Sequence, residues 1–96
     1  MSKFGTELTH AMARLNITEN QLAKEIDKSQ GWINRIKNAK TPPTQATLTA
    51  ICAAIEKHSH YHALRILIGA LKDQCTATGY DTQHILIKPN KKNPKT

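Results

Sequence analysis

The sequence predicts an all-α fold: five helices in one domain, then a short C-terminal arm or β-strand, then a disordered basic tail. Three observations lead there. Apolar residues recur at three- and four-residue steps in several separate segments; Ser or Thr stands where most of these segments begin; and 96 residues are enough for one hydrophobic core and no more. The expected boundaries are 1–76 for the helical domain, 77–88 for the arm or strand, and 89–96 for the tail.

Phe4, Leu8, Met12 and Leu15, with Ala11 beside them, build the apolar stripe of a first helix expected from about Thr6 to Leu15, which Asn16 stops. Thr18 followed three residues later by Gln21 is a capping-box pattern, in which the hydroxyl accepts from the first helical turn and the glutamine reaches back. The second helix therefore starts at Thr18, buries Leu22, Ala23 and Ile26, and ends near Asp27 and Lys28. Ser29 is again a good cap, so a third helix is expected from Ser29 to Asn38 with Ile33 and Ile36 inward. Pro42 and Pro43 deny the residues before them a helical continuation, leaving 39–43 as a loop and Thr44 as the cap of a fourth helix with Leu48, Ile51, Cys52 and Ile55 on its stripe.

Lys57 to Ser59 connects to a fifth helix expected to end near Cys75, its inner stripe being Leu64, Leu67, Ile68 and Leu71. Ile66 falls outside that stripe. A helix apolar on more than one side must bury the extra surface, and in so small a protein a second subunit is the natural place; Ile66, Leu67, Ile68 and Leu71 are therefore expected at a dimer interface. Thr78 to Asp81 are turn-forming, and Ile85, Leu86 and Ile87 form a short β-prone run. That run could pair with its copy in a second chain, extend as an arm or lie as apolar coil, and the first two would add it to the dimer interface. From Pro89 onward only Pro, Asn, Lys and Thr occur, with nothing to bury.

The charge narrows the partner. Fourteen Lys and Arg against seven Asp and Glu give +7, pointing to a polyanion such as nucleic acid or an acidic membrane surface. Lys88, Lys91, Lys92 and Lys95 lie at the C-terminal end, so without them only +3 remains, and within that part Lys28, Arg35, Lys37 and Lys40 form a run with no acid among them. The longest strongly apolar stretch, Ile66 to Leu71, is far below the roughly 20 residues that span a bilayer. With no signal peptide visible and only Cys52 and Cys75, the expectation is reduced thiols in a cytoplasmic protein with no membrane partner. His58, His60 and His62 alternate beside Tyr61, but alternation gathers side chains only in an extended chain and this stretch opens a helix; no metal site is expected. Without a phosphate-cradling glycine loop, a paired-carboxylate motif or a nucleophile with an evident base, neither an enzyme nor a cofactor is expected.

Two short helices joined by a turn at Asp27 and Lys28 can cross steeply only if the contact residue is small. Ala23 occupies that point, with Leu22, Ile26, Ile33 and Ile36 as the wedge behind it and the basic run outside. On the words TENQLAKEI, SQGWINRIKNAK and PPTQATLTAICAAI, residues 6–56 resemble the Cro and phage-repressor type of helix-turn-helix family without an insertion. Asp27 stands where that turn commonly has Gly, and Gln45 where an apolar residue is frequent; Asp tolerates the left-handed conformation better than most.

The resemblance implies that the third helix enters a major groove of double-stranded DNA, with Gln30, Gly31 and Arg35 facing base edges and Asn34 as a further reader. Phosphates would be held on one flank by the helix N-terminus at Thr18, Glu19 and Gln21, and on the other by Lys37, Asn38 and Lys40, with Lys28 in the same basic run. Trp32 either packs over thymine methyls and sugar or completes the edge of the core. The function expected is a sequence-specific transcriptional regulator, a homodimeric repressor on a palindromic operator. The alternatives are an antitoxin-like protein whose C-terminal third grips a partner protein, and a sequence-indifferent binder working through the lysine tail.

Overall fold

The computed structural model describes residues 1–78, which form α1 (Lys3–Leu15), α2 (Glu19–Glu25), α3 (Gln30–Asn38), α4 (Gln45–Glu56) and α5 (His60–Thr78). Residues 79–88, with the apolar run Ile85 to Ile87, and the basic residues 89–96 lie outside the described residues. Among those described there is no β-strand, and no helix is long and apolar enough to cross a membrane.

Local chemistry sets the helix boundaries. Ser2 caps α1 by accepting from the Gly5 amide at 3.0 Å, which starts the helix three residues before the expected Thr6 and takes in the whole apolar stripe from Phe4. Asn16 ends α1 in the left-handed region at φ 59°. Thr44 accepts from the Thr47 amide at 3.2 Å after the Pro42–Pro43 loop, and Ser59 accepts from the His62 amide at 3.3 Å where α5 begins.

All five helices supply the core, whose largest fully buried side chains are Phe4, Leu8, Leu22, Ile33, Ile51, Ile55 and Ile66. Ala23 is buried at the α2–α3 crossing, as its size requires. Ile26 and Ile36, expected inside, are half-buried and pack against the edge of the core, as does Cys52.

α5 sits in the opposite phase from the one its large aliphatics suggest. Its inward residues are Ala63, Ile66, Ala70 and Cys75, while Leu64, Leu67, Ile68 and Leu71 are 39–46% exposed. Ile66 is therefore core and not an interface residue: at 0% exposure it has no surface left for a second subunit. The reason is the closeness of α1. A Cβ at Gly69 would lie 2.9 Å from the Lys3 carbonyl oxygen, so small residues mark the side of α5 that packs. Asp73 completes the joint. Its two carboxylate oxygens accept from the Lys3 and Phe4 amides at 2.9 and 2.8 Å, satisfying two of the amides that a helix N-terminus leaves open. α5 continues to Thr78, two residues past the expected end of the helical domain and through a residue assigned to a turn.

Candidate functional site

The site is the outer surface of α2 and α3, and its geometry begins at the caps. Thr18 Oγ1 accepts from the Gln21 amide at 3.0 Å, and Gln21 Oε1 accepts from the Thr18 amide at 2.8 Å, so the expected capping box is complete. The Thr18 and Gln21 amides are thereby committed, which leaves those of Glu19 and Asn20 as the outward donors of this N-terminus. α2 stops at Ile26, and Asp27 turns the chain at φ 59°, the left-handed conformation its position between the helices demands. The Lys28 amide then donates back to the Ala23 carbonyl at 2.8 Å, and Ser29 caps α3 through the Trp32 amide at 3.1 Å.

So anchored, α3 buries Ile33 and leans on the core with Trp32 and Ile36. Gln30, Gly31, Asn34, Arg35 and Asn38 are exposed together along its outer side. A Cβ at Gly31 would meet nothing within 4 Å. Packing therefore gives no reason for glycine there, although glycine within a helix costs about 1 kcal/mol relative to alanine. Asn38 donates to the Asn34 carbonyl at 2.8 Å, closing the last turn. The Lys28 ammonium lies 5.1 Å from the Trp32 ring centroid, so this lysine is directed along the tryptophan face, and Trp32 joins the core edge to the basic surface.

Glu19 organises the site in a way the sequence did not disclose. Its carboxylate takes an ion pair from Lys37 Nζ at 2.6 Å and longer contacts from Gln30 Nε2 and Asn34 Nδ2, each at 3.4 Å. The hydrogen bond from Lys37 holds the Glu19 carboxyl below its ordinary value of 4.5, outweighing the opposing effect of burial, with Gln30 and Asn34 adding to the same side. Lys37, expected at a phosphate, is thus paired within the protein, and the Glu19 side chain faces α3. Lys40 and Arg35 carry no such partner among the described contacts.

A residue that the sequence did not single out is Gly5. A Cβ there would overlap the Lys37 carbonyl oxygen, so α1 meets the end of α3 backbone to backbone. The available signal was a glycine inside a helical apolar pattern, which often marks a close approach.

Two histidines of the stretch 58–62 lie against carboxylates. His58 lies 3.6 Å from Glu25 and His60 2.7 Å from Glu56, and among the described residues no three His, Cys, Asp or Glu side chains gather as metal ligands. Burial raises the Cys52 thiol above its ordinary range, with Glu56 contributing, so it stays protonated and weakly nucleophilic.

A family model described as helix-turn-helix matches residues 10–61, a little over half of the chain, from within α1 to the first turn of α5. Neither the comparison with curated proteins nor that with solved structures gave a match.

Proposed function

The chain belongs to the helix-turn-helix family, and on that premise we propose a repressor of the Cro and phage-repressor type, binding a palindromic operator as a homodimer. The general role follows from the family: this is a DNA-binding regulatory protein. The observation that carries the finer reading is the outer side of α3, where Gln30, Gly31, Asn34 and Arg35 are exposed side by side on a helix with no acidic residue.

In this reading Arg35 donates in bidentate fashion to a guanine edge and Gln30 or Asn34 pairs with an adenine edge. Gly31 lets the backbone of α3 approach the groove floor, which gives a purpose to a glycine that packing does not need. Phosphates are held by the free Glu19 and Asn20 amides at the start of α2 and by Lys28, Trp32, Asn38 and Lys40. Leu64, Leu67, Ile68 and Leu71 supply the apolar surface on which a second copy docks.

Selection of duplexes from a random pool tests the whole reading. The expected product is a two-fold symmetric site with half-sites about 34 Å apart, or a multiple of that. On that site Arg35→Ala and Gln30→Ala each lose about 1–3 kcal/mol of discrimination at one base pair, while Lys40→Ala weakens every sequence alike. Equal losses on all sequences for all three variants would refute the base-reading assignment.

A further inference from the structure

Glu19 is the one acidic side chain that contacts α3 among the described residues, and it stands at the border of the surface that meets DNA in the reading above. A carboxylate there repels phosphate, so its presence calls for a compensating use. Its three partners, Gln30, Asn34 and Lys37, are spaced four and three residues apart and so form one stripe of α3. Two consequences follow from the chemistry of those contacts.

The first concerns the carboxamides. A carboxylate only accepts, so Gln30 and Asn34 must turn their NH2 groups toward Glu19; the flipped orientation would set oxygen against oxygen. Each amide then keeps one N–H and its carbonyl oxygen for an outside partner, in a fixed sense. That is the donor and acceptor pair an adenine edge requires. The second concerns Lys37, whose charge is neutralised at 2.6 Å and is thereby withheld from any phosphate that approaches.

Resting on the DNA-reading role of α3, we infer that Glu19 is a specificity-determining positioning residue: it orients Gln30 and Asn34 for base edges and withholds Lys37 from indiscriminate binding to the DNA backbone. Specificity is a ratio, and lowering the affinity for random sequence raises it as effectively as a new base contact does.

The full chain and its Glu19→Gln and Glu19→Ala variants are titrated, over a range of salt concentrations, against the selected operator and a scrambled duplex. Both variants release Lys37, so both bind the scrambled duplex more tightly, and the slope of log K against log salt steepens by about 0.9, the value for one further phosphate neutralised. Adding Lys37→Ala to either variant removes that gain. Glu19→Ala, which also frees the two carboxamides, further loses preference at the base pairs that Gln30 and Asn34 read, and the Gln30 and Asn34 side-chain amide resonances of the free protein move. An unchanged slope in both variants, or a gain that survives Lys37→Ala, overturns the withholding of Lys37. Unmoved amide resonances and an intact base preference in Glu19→Ala overturn the orienting role. A wild-type chain that prefers no sequence would instead refute the regulator reading, and the scrambled-duplex slopes would still decide the part played by Lys37.

Discussion

Two glycines, one on α3 and one packed against its end, answer to opposite constraints. Gly31 has open space where a side chain would be, whereas Gly5 has the Lys37 carbonyl. Gly5→Ala therefore forces α1 away from the end of α3. A loss of about 1–3 kcal/mol, typical of overpacking, is expected in urea unfolding, together with weaker operator binding because α3 is displaced. Gly31→Ala should leave stability intact or raise it, since alanine is the better helix former. Glu19 carries the pH dependence of the site. Its carboxyl is held below 4.5 in the folded chain, so the folded state binds fewer protons than the unfolded one, and the stabilisation is present above 4.5. It is lost as pH falls through the depressed folded value. The stability difference between wild type and Glu19→Gln should accordingly be constant near neutrality and shrink on acidification below 4.5. A difference that persists undiminished in acid would show that the Lys37 pair contributes nothing.

At the scale of the element, what could be read from the sequence was local and what could not was long-range. The capping box at Thr18, the cap at Ser29, the left-handed turn at Asp27 and the Pro42–Pro43 loop each depend on residues within a few positions, and each stands where the chain chemistry puts it. The phase of α5 depends on a contact 66 positions away in sequence, between Gly69 and Lys3. Large aliphatics advertise an inward stripe, but where two helices approach closely the small residues face in. Ala63, Ile66 and Ala70 consequently took the inner side, and the leucines were turned out. Asp73 belongs to the same class of feature, since its role as acceptor for the α1 amides is invisible until α5 is laid along α1. For the site, it was the family resemblance that singled out Gln30, Gly31, Asn34 and Arg35, and all four are exposed on α3. Its control by Glu19 depends on the angle between α2 and α3, which no spacing rule fixes.

For the whole molecule, the inverted phase of α5 strengthens the case for a second copy. Leu64, Leu67, Ile68 and Leu71 fall at i, i+3, i+4 and i+7, one continuous ridge, and each keeps between 39 and 46% of its surface in solvent. A ridge of this kind pairs with itself about a two-fold axis, and the same axis would relate two copies of α3 to two half-sites. α5 is tied to α1 by Asp73, and α1 abuts the end of α3 at Gly5, so the apolar ridge and α3 belong to one packed unit. Leu67→Lys places a charge on the ridge without touching the core or α3. Sedimentation should then show a dimer for wild type and a monomer for the variant, and the melting temperature should lose its dependence on protein concentration. Affinity for an isolated half-site should be unchanged, while the gain from joining two half-sites in one duplex should vanish. A wild-type chain that sediments as a monomer at operator-saturating concentrations, or a Leu67→Lys variant that keeps the two-site gain, would show that this ridge does not join the two DNA-binding units.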